Sequence, residues 1–366
     1  MKRTMKKMVS MALTGTMAVA VLAGAGTSEV KAADKAKIGV LVADVSGEEA
    51  QGFRSYYENY IAGNYDVEFN YTDALQSAED EKTAIEKFAS QGCQAIISFS
   101  SNDRVQQIET CEKYGVYYAV ASGVLDDAQY ETYKTYEYFA GQVGPGNDTE
   151  FEAGKDMGAY YKEQGVSKVA IYGAFIPNPM HVYRVAGVLN GLGCTYGGES
   201  DMNAIAGQIF QDQTVDLSKV EGDVEVVSYL QGYGDTTTDE LNAAIQKTPD
   251  AFISVGMATT FFAQSLSEAG ISFSDIDSFT ETNGNSMKNG TLTYLAGKYS
   301  SSIGPVFALV MNAINGNVIR DEDGNAPSIS QGYLVATDSD TFDKYSVSDS
   351  GDAPIYDKET LDSIIG

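Results

Sequence analysis

KVAIYGAFIPNPMHVYRVAGVLNGL, residues 168–192, joins two periodicities in one short stretch. Lys168 to Phe175 is a nearly unbroken apolar run of strand length, which is how a strand covered on both faces reads. From Asn178 the period changes. Asn178 suits a helix N-cap and Pro179 the first helical position, while Val182, Val185, Ala186, Leu189 and Leu192 recur at helical spacing and predict the buried stripe. The stretch is therefore a strand followed directly by a helix. Arg184 lies off the stripe and near the start of the helix, where the helix dipole gives a cation nothing, so something outside the helix must hold it.

The same grammar extends in both directions. IGVLVAD (38–44) reads as a buried strand, and Ser46-Gly47-Glu48-Glu49 as a capping box opening a helix with Phe53, Tyr56, Tyr57, Tyr60 and Ile61 on one face. DVEFNYTDA (66–74) precedes a helix capped at Ser77 and stopped at Gly92. AIISFSS (95–101) precedes a helix with Val105, Ile108 and Cys111 inward, and VYYAVASG (116–123) follows. A tyrosine-rich connection (124–137) leads to a second series: FAGQVG before a helix around 151–164, the opening stretch, VEVVSYLQ (224–231) before a capping box at Thr237–Glu240, and AFISVGM (251–257) before a helix. Alternating strands and helices predict an α/β fold of two doubly wound, parallel-sheet lobes.

Composition narrows the function. With 24 Lys and Arg against 51 Asp and Glu, the formal charge is −27. Such a surface repels nucleic acid and anionic lipid. Residues 1–32 read as a Sec-type signal peptide: Lys2, Arg3, Lys6 and Lys7, then a small apolar run from Met8 to Gly26, then Val30-Lys31-Ala32 as a small-x-small cleavage site. No cysteine stands there for a lipid anchor, so a periplasmic or cell-surface protein is expected. Cys93, Cys111 and Cys194 are scattered, and a Cys93–Cys111 disulfide and three buried thiols are both open.

Catalytic motifs are missing. No GxGxxG, GxxxxGK[ST], GxSxG or HExxH occurs, and the single histidine, His181, has no triad or zinc partners in the pattern. Asp321-Glu322-Asp323-Gly324-Asn325 departs from a calcium loop at Ala326 and Gly332 and reads as a polar turn. Neither enzyme activity nor a cofactor or metal is expected.

Ligands of open α/β sheets bind beyond the carboxyl ends of the strands. The residues there are Asp44, Ser46, Ser100, Ser101, Asn102 and Ser122 in the first lobe. In the second they are Phe175, Gln231, Tyr233, Met257, Thr259, Glu281 and Asn283. Hydroxyls, amides, carboxylates and aromatics suit a polyhydroxylated ligand, although the serines, Asn102 and Thr259 also suit helix caps.

Arg184-Val185-Ala186-Gly187-Val188-Leu189 and GTLTYLAGKYSSSIG (290–304) resemble two motifs of the type I periplasmic binding proteins, in the sugar-binding branch that shares its fold with LacI-type ligand domains. The resemblance covers roughly residues 36–335. It implies that Arg184 donates to ligand hydroxyls and that Lys298 lies at the last crossover. It also implies an N-terminal lobe of 33–143 plus 298–328, a C-terminal lobe of 144–297 plus 329–366 with the acidic tail, and hinge crossovers near 142–148, 283–298 and 325–332. Val45-Ser46-Gly47 and Met257-Ala258-Thr259 depart from the family pattern, and Glu281 stands for its usual aspartate. The function so implied is a monomeric solute-binding protein that delivers a sugar to an ABC transporter permease. The alternatives are a sensing subunit of a membrane receptor or sensor kinase and, less in keeping with the missing motifs, a secreted glycan-processing enzyme.

Overall fold

The computed structural model describes residues 35–349 and 353–366, so the expected signal peptide lies outside the described residues. The strands are β1 Ala36–Leu41, β2 Val67–Tyr71, β3 Ala95–Ser98, β4 Tyr117–Ala121, β5 Phe139–Gly144, β6 Lys168–Tyr172, β7 Thr195–Tyr196, β8 Val220–Glu221, β9 Glu225–Leu230, β10 Ala251–Ser254, β11 Ser272–Ser278, β12 Leu292–Lys298, β13 Ser328–Ser330 and β14 Leu334–Ala336. They form one sheet in the order β13-β5-β4-β3-β1-β2 and another in the order β14-β12-β11-β10-β6-β9, with β7 and β8 as a small ribbon. Within the two large sheets every pairing is parallel except that of β14 with β12. Two doubly wound α/β lobes result.

Each sheet is covered on both faces, which is why its strands read as continuous apolar runs. In the first, Ile97 and Ala119 face one core while their neighbours Ile96 and Tyr118 face the other. In the second, Val182, Val185, Ala186, Leu189 and Leu192 all reach the core, as the stripe predicts, and Asn178 caps their helix by accepting from the Met180 N–H. That helix, Pro179–Gly191, packs against Asn147–Glu163. Glycine lets the backbones meet: a Cβ on Gly187 would stand 2.0 Å from the Phe151 carbonyl oxygen, and one on Gly154 would stand 2.0 Å from that of Arg184. The three cysteines are free and buried.

Several expectations need correction. FAGQVG, expected at the head of the second series, is β5 and pairs with β4 in the first sheet. The Ser46–Glu49 capping box does not form. Gly47 is the N-cap of the helix Glu48–Ser55, and Ser46 bonds to Asp44 instead. The helix expected to start from Thr237–Glu240 begins at Asp235. The segment after 338 does not stay with the second lobe. Its helix Ser339–Ser348 packs there through Phe342, but Lys358–Ile364 returns to the first, with Leu361 in that core and the Ile364 carbonyl accepting from Asn312 Nδ2 at 2.8 Å. A short, mostly polar C-terminal helix can still cover first-lobe surface through one buried leucine, Leu361.

The chain passes between sheets at 145–146, at 299–303 and at 331–333. The first and third fall in or at the edge of the expected windows; the second follows β12, because all of 292–298 pairs in the second sheet.

Candidate functional site

The carboxyl ends of both sheets border one cleft of about 510 Å³, within the range of small-molecule sites. The loop after β1 supplies Asp44, the helix Glu48–Ser55 supplies Glu49 and Arg54, the loops after β3 and β4 supply Ser101 and Ser122, and Arg104 begins the helix Arg104–Tyr114. From the second lobe come Glu150 and the helix-opening Asn178, and Lys298 stands at the crossover. Phe53 and Phe99, stacked at 5.4 Å between centroids, give the first-lobe wall an aromatic portion.

Polar groups on the wall are mostly matched. Asp44 accepts from the Ser46 N–H at 2.9 Å, the Ser46 hydroxyl at 3.0 Å and the Gly47 N–H at 3.0 Å, and the Ser46 amide leads in holding its pKa below the ordinary aspartate value. Arg54 pairs with Glu58 at 2.9 Å and lies over the Tyr71 ring. Glu49 accepts from the Ser278 hydroxyl across the cleft and from Lys298 at 3.5 Å, while Glu48 accepts from Thr282 at 2.8 Å. The two glutamates expected to cap a helix thus bridge the lobes.

Arg184 is 2% exposed and off the cleft wall. Its Nε donates to Glu150 at 2.6 Å, Nη1 to the Val255 carbonyl at 2.7 Å, and Nη2 to the Tyr333 hydroxyl at 2.6 Å. Tyr333 in turn donates to Glu150 at 3.0 Å. Burial disfavours the charge, but the Glu150 carboxylate and Tyr333 outweigh it and Arg184 stays protonated. His181, one turn earlier, accepts from the Phe175 N–H at 3.1 Å. Burial first, then Arg184, pushes its pKa down to about 4, so it is neutral near pH 7.

Of the residues expected from the sequence, Asp44, Ser101, Ser122 and Lys298 come together on the wall. Ser46 braces Asp44. Ser100 is fully buried and donates to Glu81, and Asn283 is buried with its Nδ2 on the Ser278 carbonyl, so both serve the loops behind the site. Phe175 and Tyr233 pack edge to face at 5.4 Å at the strand ends of the second sheet, with Met257 exposed nearby in sequence to Phe261, on which Tyr233 stacks. Glu281 is exposed at the start of the helix Glu281–Lys288.

Sequence reasoning missed Glu49, Arg54, Arg104, Asn147 and Glu150. A signal existed for Arg104. It is a cation in the first turn of a helix, the same anomaly that singled out Arg184. Among the described residues no cluster of His, Cys, Asp or Glu could hold a metal, and no helix is long and apolar enough to cross a membrane.

No protein-family model matches the chain, and no curated sequence matches it. Solved structures do. A solute-binding protein of an ABC transporter from Bacillus halodurans C-125 with bound myo-inositol is 17% identical, with a TM-score of 0.59, over 87% of this chain and 99% of that one. A periplasmic solute-binding protein from Actinobacillus succinogenes 130z with bound D-allose is 16% identical, with a TM-score of 0.60, over 85% and 100%. The myo-inositol binding protein of Caulobacter is 14% identical, with a TM-score of 0.60, over 86% and 96%. With two lobes of mostly parallel sheet and this likeness over most of its length, the chain has the type I periplasmic binding protein fold.

Proposed function

We propose that the protein is an exported solute-binding protein that captures a sugar by closing its lobes and delivers it to an ABC transporter permease. The observation that carries this reading is a cleft of about 510 Å³ lined from both lobes and spanned by crossovers that can act as hinges. Sugars bound by structural neighbours agree with it, and the basic and apolar residues 2–26 support export. Asp44, Ser101, Ser122 and Lys298 offer the directional polar groups that ring hydroxyls need, and Phe53 and Phe99 an apolar face. Arg184 acts here as a positioning residue, fixing the buried Glu150 behind the cleft wall rather than touching the ligand. Tyr233, Phe175 and Met257 are reached by the ligand only as the lobes close.

Calorimetric titration with pentoses, hexoses and cyclitols, paired with small-angle scattering, tests both halves. Saturable binding with a smaller radius of gyration is expected. A panel that yields no binding, or binding with no change in shape, sinks the reading.

A further inference from the structure

Of the charged groups on the cleft wall, two have no ion-pair partner among the described residues, the acid Asp44 and the cation Arg104. Glu150 has Arg184, Glu49 has Lys298, and Arg54 has Glu58. Asp44 is exposed at the mouth and held by its own loop. Arg104 has no carboxylate within 4.0 Å among the described residues. One of its terminal nitrogens, Nη1, donates to the Val124 carbonyl at 2.6 Å, and its Nε is buried with no acceptor. The Tyr71 hydroxyl, on the same wall, is likewise buried without a partner. These are two unused hydrogen-bond donors on one side of one cavity.

Arg320 also lacks an ion pair, but its guanidinium donates to the carbonyls of Ile319, Tyr136 and Glu137, whereas Arg104 has one carbonyl and an empty Nε. Withdrawing a charge from water is costly unless a counter-charge and hydrogen bonds replace the water. Burial accordingly works against the charged form of Arg104, and the Glu81 carboxylate, beyond ion-pair distance and already accepting from Ser100, Asn102 and Asp103, offsets this only in part. A neutral hydroxyl offers a single acceptor oxygen and leaves the charge unbalanced. A carboxylate offers two coplanar oxygens and neutralises it, in the planar geometry a guanidinium matches best.

Resting on the sugar-binding reading above, we infer that the ligand is a carbohydrate acid whose carboxylate pairs with Arg104, with the Tyr71 hydroxyl as a second donor. A single negative charge is what the wall can hold. A phosphate dianion would exceed the one unmatched cation and meet the carboxylates of Asp44, Glu49 and Glu150. The remaining hydroxyls of the sugar ring then fall to Ser101 and Ser122.

The test is a calorimetric comparison of matched pairs on the wild-type protein: D-glucuronate against D-glucose, D-galacturonate against D-galactose, and D-gluconate against D-glucitol, with glucose 6-phosphate as the dianion. At least one acid is expected to bind tenfold or more tightly than its neutral partner and than the phosphate. Arg104→Gln should weaken that acid at least tenfold more than it weakens the neutral partner, and Arg104→Lys should fall between. Tighter binding of the neutral member or of the phosphate, or an equal loss of acid and neutral sugar in Arg104→Gln, overturns the inference while leaving sugar capture intact. Silence from acids and neutral sugars alike removes both. The wild-type comparison needs no variant, so it stands even if Arg104→Gln does not fold.

Discussion

Arg104 and Arg184 are the same residue type, each placed early in a helix at the cleft end of its lobe, yet their surroundings differ throughout. Arg184 has a carboxylate, a phenol and a carbonyl within 2.7 Å; Arg104 has one carbonyl and an orphaned Nε. The helix dipole argument treats both alike, since it reports only that the helix does not hold the cation. What does hold it comes from elsewhere in the chain. For Arg184 these are Glu150, just past the first crossover, and Tyr333, at the third. The second-lobe arginine therefore fastens two of the connections between the lobes, and the first-lobe arginine is left for something the chain does not contain.

The sharpest way to break this contrast is to take away the partner. Glu150→Ala should cost about 3–5 kcal/mol in urea unfolding, because it leaves Arg184 charged and buried. Joint replacement of both residues by Leu and Met should be milder than either single change. Gly187→Ala comes next, at about 1–3 kcal/mol, since its methyl group meets the Phe151 carbonyl and forces apart the two helices that bring Glu150 to Arg184; a neutral result would mean the helices slide freely.

Asp275 sharpens the comparison by adding a buried acid with no cation. Burial, then the nearby Asp277, raises its pKa to about 7, despite hydrogen bonds from Ser254 at 2.8 Å and the Ile276 N–H at 3.0 Å. The folded state then holds the proton more tightly than the unfolded chain does. This group's contribution to stability is fully present below the ordinary carboxylate range and is lost as pH rises toward about 7. Asp275→Asn should flatten that part of the stability–pH profile; an unchanged slope would assign it to other groups.

The smallest effect belongs to Arg104. Replacing it by Met should change stability by no more than about 1 kcal/mol in either direction, because the lost bond to Val124 is offset by relief of a buried charge. A cost as large as that of Glu150→Ala would mean that Arg104 is structural and that the contrast fails.

The fold was largely legible because it rests on period. Buried parallel strands are short apolar runs, and the helices between them keep one stripe inward, so Ile38, Ile97 and Val169 needed no knowledge of their neighbours. The strand Ser272–Ser278 escaped that reading because Asp275 and Asp277 interrupt its apolar run. The site was legible only in part. The rule of strand ends found Asp44, Ser101 and Ser122, but it cannot tell a side chain turned to the cleft from one turned behind it, and so it also returned Ser100 and Asn283. Glu49 was hidden by its spacing from Ser46, which fits a capping box; the partner it takes lies 229 residues away. Pairings of that range leave no local trace.

The return of the helix Lys358–Ile364 to the first lobe also settles where handles can go. β1 starts the described chain in that lobe, and Gly366 closes on Asn312 of the same lobe at 3.0 Å. A rotation of one lobe against the other leaves the separation of the exposed Lys35, just before β1, and Gly366 unchanged. Dyes attached at these two positions are therefore blind to closure, and surface attachment through either one leaves the second lobe free to swing. A fluorescent reporter of closure needs one label in the second lobe, for which the exposed Gly207 on the helix Met202–Asp212, facing no neighbouring atom within 4 Å of its Cβ position, offers a place.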